Sequence, residues 1–148
     1  MSNKHEASLR FLEYFVSSIN YKLNENFNND AETNLEVDFD VTSRILIDEQ
    51  RSSVHLDAVV GEEGNPNCPF IIEASIVGLF EFEGNFEENK DFLTSNAVAV
   101  LFPYLRSVIS DVSVKSNIFP NYLLPLINIS KYIKDNDKVK VFYKNDNQ

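Results

Sequence analysis

The chain changes its hydrophobic rhythm near its middle. In the first half, apolar and polar residues alternate. The stretch "LEVDFDV" (35–41) sets Leu35, Val37, Phe39 and Val41 against Glu36, Asp38 and Asp40, the period-two pattern of a half-buried strand. "SVHLDAVV" (53–60) repeats it, with Val54, Leu56, Ala58 and Val60 opposed to His55, Asp57 and Val59. "FIIEASIVGLFEFEG" (70–84) sets Phe70, Ile72, Ala74, Ile76, Phe80 and Phe82 against Ile71, Glu73, Ser75 and Glu81, and "SINYKLNENF" (18–27) is a weaker strand of the same style. Between the second and third patterns, "GEEGNPNCP" (61–69) carries two Gly and two Pro and breaks any regular element. Four strands with hairpin-length connections predict an antiparallel sheet with one wet face. In this register Asp38, Asp40, Asp57 and Glu73 make that face acidic, and a slip of one residue would reverse every assignment.

From Asn96 onward the period lengthens. Val98, Leu101, Phe102, Leu105, Val108, Ile109 and Val112 recur at steps of three and four, a helical stripe that ends near "KSN" (115–117). Pro103 removes a backbone donor inside this stripe, which predicts a kink or a helix start there. An extended apolar loop, "IFPNYLLPLIN" (118–128), follows, then a short helix at "ISKYIK" and a basic, strand-like tail, "KVKVFYKNDNQ". Strands first and helices last give an α+β fold: a four-stranded antiparallel sheet, a long helix packed on one face, and a second short helix. One domain over 1–148 is expected, with 1–17 and 138–148 as flexible or peripheral ends.

Composition narrows the function classes. Of the 148 residues 43% are hydrophobic, including twelve Phe and six Tyr, enough for a core without staples. A formal charge of −10 argues against a nucleic-acid partner, which needs clustered Lys and Arg, and favours basic surfaces or basic unfolded segments. Cys68 is the only cysteine, so no intrachain disulfide forms and a reducing compartment fits. No stretch reaches the roughly 18 uninterrupted apolar residues of a spanning helix, and the first residues lack the pattern of a signal peptide, so a cytoplasmic protein without membrane insertion is expected.

Catalytic chemistry finds little support. His55, Asp57 and Glu73 could converge across neighbouring strands on a metal, but such a site needs three or four ligands, and a solvated strand face is the better reading. Cys68 has no positioned base in the sequence around it. A chain with four glycines offers no Gly-rich phosphate loop. No enzyme activity, metal or cofactor is expected.

Apolar residues in unusual places are more informative. The loop 118–128 holds Ile118, Phe119, Tyr122, Leu123, Leu124, Leu126 and Ile127 where polar residues are the norm. It is either a lid folded onto the core or an apolar surface that binds other chains. On the long helix, Tyr104, Ser107 and Asp111 lie outside the main stripe with Val100 at its edge; that second face is either solvated or packed against another subunit.

At these residues the chain resembles a known family. "NAVAVLFPYLRSVISDVS" followed by "FPNYLLPLIN", together with "FIIEASIVGLFEFEG", closely resembles the SecB family of export chaperones over about residues 18–133. The resemblance implies a dimer of dimers that holds unfolded preproteins in the cytoplasm without ATP and passes them to the translocase motor SecA. It places Phe119, Tyr122, Leu123 and Leu124 in the loop that lines a client groove, with Leu79 and Phe80 on its floor. The acidic face with Asp38, Asp40, Asp57 and Glu73 becomes the SecA-docking face, and Val100, Tyr104, Ser107 and Asp111 become oligomer contacts. Two departures qualify the SecA role. Asn24 and Asn28 stand where well-studied members carry carboxylates, and the tail holds Lys138, Lys140 and Lys144 instead of acidic residues. A SecB-like chaperone dedicated to one partner, such as an antitoxin, is the alternative.

Overall fold

The computed structural model describes residues 7–28, 35–117 and 122–144. In chain order its elements are β1 (Ser8–Leu23), β2 (Phe39–Asp48), β3 (Arg51–Val60), β4 (Phe70–Glu83), α1 (Lys90–Lys115), α2 (Ile129–Asp135) and β5 (Val139–Tyr143). The α+β class is as expected, but the sheet has five strands in the order β1-β4-β3-β2-β5 and is mixed. β2, β3 and β4 form an antiparallel meander, β1 pairs antiparallel with the free side of β4, and β5 runs parallel to β2. A parallel pair needs a long crossover, and the two helices supply it by carrying the chain from the end of β4 back to the open edge of β2.

The meander keeps the phase read from the alternation. Val54, Leu56, Ala58 and Val60 of β3 and Phe70, Ile72, Ala74, Ile76, Phe80 and Phe82 of β4 are all buried. β2 begins at Phe39 rather than Leu35 and runs on to Asp48, with Val41, Ser43, Ile45 and Ile47 inward. Ser43 occupies an apolar position because its hydroxyl donates to the His55 carbonyl at 2.9 Å.

Near both ends the described residues join the sheet, and residues 1–6 and 145–148 lie outside the described residues. Residues 8–17 form the first part of β1, an edge strand of 16 residues. The register slips between Phe11 and Glu13 and again between Val16 and Ser18, so Leu12 and Ser17 bulge out of the ladder. Each bulge reverses the alternation, which is why no period-two signal survives there. At the other end, residues 139–143 form β5, with Val139, Val141 and Tyr143 packed against the core.

α1 covers the sheet with Leu93, Ala97, Val98, Leu101, Phe102, Leu105 and Ile109 buried. By length and composition it is apolar enough to cross a membrane; here it is the core helix. Its close approach rests on Gly78 of β4, where a Cβ would meet Leu101 Cδ2 at 2.5 Å. The helix starts at Lys90 and runs through Pro103 without a restart. Pro103 and Ala99, whose carbonyl loses its partner to the proline, lie on the exposed side, where solvent can take the free acceptor. α2 is capped by Asn128, whose side chain accepts from Lys131 N, and buries Ile129 and Ile133 at the end of the core.

Candidate functional site

The face of the sheet turned away from α1 divides into two halves. Across one half, the strand registers align Phe142, Leu46, Ser53 and Leu79, with the bulged Leu12 beyond them, and set Phe15 opposite Val77. Leu12, Phe15, Leu46 and Phe142 are exposed and Leu79 is half-buried. Leu12, Leu46, Ser53 and Leu79 line a shallow depression of about 350 Å³. The result is an apolar band on a surface that the alternation alone makes polar.

The other half carries the four acidic residues, and two of them are engaged. Asp57 accepts from Arg44 Nε at 3.3 Å. Asp40 accepts from the Tyr132 hydroxyl at 3.1 Å and lies 3.2 Å from Lys138 Nζ, so α2 and the start of β5 are tied to β2. Burial and the Asp40 carboxylate push the Tyr132 phenol above its usual pKa of 10.0. Glu73 and Asp38 are exposed. His55 stands beside Arg44 and Asp57; burial and the Arg44 charge lower its pKa, against the pull of Asp57. Among the described residues no group of three or more His, Cys, Asp and Glu side chains is placed to hold a metal.

The loop before α2 is both lid and surface. Leu124 is fully buried in the core, Tyr122 and Ile127 are half-buried, and Leu123 and Leu126 point outward, Leu126 at 84% exposure. α1 fixes the loop backbone: Arg106 Nε donates to the Leu124 carbonyl at 2.8 Å, and Tyr122 N donates to Ser113 Oγ at 2.8 Å. The Tyr122 ring meets Phe70 edge-on at 6.1 Å. Phe119 lies outside the described residues. Phe80 and Leu124, expected in a client groove, face the core instead, at 1% and 0% exposure; Phe80 packs on Phe11 of β1 and Leu124 under the loop.

Part of the second face of α1 lies against β1. Tyr104 stacks on Tyr14 of β1 at 4.3 Å, and Val100, Ser107 and Asp111 are exposed along the same side. Tyr14, Val16 and Ile19 of β1 are exposed there as well. The aromatic and β-branched run "FLEYFVSSI" (11–19) was the signal for these residues, hidden by the two bulges. Asn24 sits in the interior of the fold. It is 5% exposed, and its Nδ2 donates to the Cys68 carbonyl at 2.9 Å and the Asn65 carbonyl at 3.1 Å, clamping the 61–69 turn to the end of β1. Asn28, by contrast, is exposed, and its N donates to the Pro66 carbonyl at 2.8 Å.

The sequence model of the SecB family, described as preprotein translocase subunit SecB, matches residues 4–138. The chain belongs to the SecB family. An uncharacterized protein of Methanocaldococcus jannaschii is 29% identical over 138 residues, covering 91% of this chain and 88% of that one. The protein-export protein SecB of Orientia tsutsugamushi strain Ikeda is 24% identical over 122 residues, covering 79% and 74%. In fold the chain is similar to a SecB-like chaperone of Mycobacterium tuberculosis solved in complex with a ChAD peptide from the HigA1 antitoxin. The TM-score is 0.65 at 12% identity, over 80% of this chain and 90% of that one. A protein of unknown function from Streptococcus agalactiae gives a TM-score of 0.55 at 16% identity, over 81% and 98%.

Proposed function

We propose that this SecB-family chain is a holdase: it binds non-native polypeptides without ATP, in the cytoplasm, and keeps them competent for translocation. The observation that carries the reading is the apolar band of exposed Leu12, Phe15, Leu46 and Phe142 around half-buried Leu79, continued in kind by Leu123 and Leu126 of the loop. A soluble chain of net charge −10 that leaves such residues side by side has a use for them. Leu79, Tyr122 and Leu123, with Phe119, are the client contacts of this reading; Phe80 and Leu124 belong to the core. Many weak apolar contacts bind an unfolded segment firmly when several copies act together, and a dimer of dimers joined through Tyr14, Val16, Ile19 and the Val100–Asp111 face supplies the copies. Delivery to SecA belongs to the same proposal, through Glu73 and Asp38, the two of the four acidic residues that form no ion pair among the described residues.

The test is suppression of aggregation when a chemically denatured protein is diluted, with and without ATP. The wild type should protect equally in both, and the Leu79→Ser/Leu123→Ser variant should need several-fold more protein for the same protection. Equal protection by both proteins removes these residues from the mechanism. A second reading, a chaperone dedicated to one antitoxin, is favoured by the fold shared with a SecB-like chaperone that holds an antitoxin peptide. Pull-down from native cells separates the two: one stoichiometric partner for the dedicated chaperone, many for the holdase.

A further inference from the structure

β5 is the strand with the fewest ties to the rest of the sheet. It is five residues long, pairs only with β2, and lies beyond residues 4–138 matched by the SecB family. Its residues alternate, Val139, Val141 and Tyr143 inward against the core margin, Lys140 and Phe142 outward, and Phe142 continues the apolar band beside Leu46. An ion pair closes each end, Lys138 with Asp40 at 3.2 Å and Lys144 with Asp48 at 3.3 Å, and the Tyr143 hydroxyl donates to Glu87. These closing groups stand at least partly in solvent, where ion pairs are weak and salt screens them. What they cover is a sheet edge from Ser43 to Ile47 whose backbone groups can pair with any extended chain.

We propose that the edge of β2 is a second polypeptide-binding site that β5 occupies in reserve. Its ligand is an extended segment of alternating apolar residues with a Lys or Arg at each end. The proposal rests on the holdase reading and adds a site and a sequence preference to it. The chain's own Lys138–Lys144 shows what the edge accepts: apolar side chains at alternate positions, and cations against Asp40 and Asp48. An incoming segment of the same chemistry restores the backbone bonds and charge pairs that β5 gives up, so exchange needs little net free energy. The two carboxylates also select against acidic segments.

The probe is a fluorescein-labelled peptide KVKVFYK, titrated into the full chain and into a Val141→Pro variant whose β5 cannot keep its ladder. With the competing strand displaced, the variant should bind about tenfold more tightly than the wild type, since the competent fraction rises. The peptide EVEVFYE should bind neither. In parallel, hydrogen exchange on the wild type should show excess peptide speeding exchange in 139–143 while 43–47 stay protected, a readout independent of the variant's folding. Equal affinity of both proteins, unchanged exchange in 139–143, or binding only together with a doubled mass, which would seat a second copy on the edge, overturns the proposal. Any of these with aggregation suppression intact leaves the holdase reading standing; loss of suppression by the wild type removes that reading itself.

Discussion

At one edge of the sheet β1 pairs with β4 along its whole length, from Ser8 opposite Glu83 to Leu23 opposite Phe70. At the other edge β5 meets β2 over Val139–Tyr143 alone. β1 is fixed by packing, with Phe11 against Phe80 at 5.3 Å and Tyr104 at 5.8 Å, and by the buried Asn24 clamp at its end. β5 is closed at its ends by charged groups that water and salt can replace. The difference teaches how one small sheet treats its two edges: a long ladder with aromatic and amide contacts on one side, and on the other a short ladder with apolar residues against the core and solvent-exposed ion pairs at its ends.

Truncation of Phe11 should have the largest effect. Phe11→Ala removes the half-buried aromatic packing that seats β1 and should cost about 2–3 kcal/mol in urea unfolding; a loss of a few tenths would mean that β1 is held no better than β5. Next comes the clamp. Asn24→Ala leaves the Cys68 and Asn65 carbonyls without their donor and should cost about 2 kcal/mol by the same measurement.

The smallest effect is that of acid, and it should fall on the β2 side. The folded state holds the His55 pKa below its ordinary 6.5, so the unfolded chain takes up the proton first. Stability is then whole above about pH 6.5 and declines as the pH falls toward the folded value. A pH series of urea midpoints on the wild type and His55→Gln checks this: the variant should lose that part of the slope, and identical slopes would show that His55 carries no share of it.

The meander was legible because the inward positions of β2, β3 and β4 stay apolar at nearly every second residue, with Ser43 and Gly78 among the exceptions, against a buried face. The helix was legible from its three-and-four spacing, although it begins at Lys90, before the stripe becomes apolar. β1 was mostly illegible, since two bulges cancel the period that reveals a strand. β5 was readable as strand-like but not as part of the sheet, because nothing local says that a crossover through two helices returns it to β2. The apolar loop was recognised as a feature, yet only packing could divide it into Leu124 inside and Leu123 and Leu126 outside. For the acidic residues, the alternation could not show that Tyr132 and Lys138 engage Asp40 and that Arg44 engages Asp57, or that Leu46 and Leu79 line up with Phe142 beside them.

The pairing of β1 with β4 also sets an order in time. Each hairpin of the meander closes through a short connection, whereas Ser8 finds Glu83 only after the whole meander lies between them. β5 waits longer still, because its edge is reached only through both helices. A chain emerging from synthesis therefore spends its early life with β4 and β2 as bare edges, apolar and open. A member of the SecB family thus passes through a stage in which its own sheet edges stand uncovered.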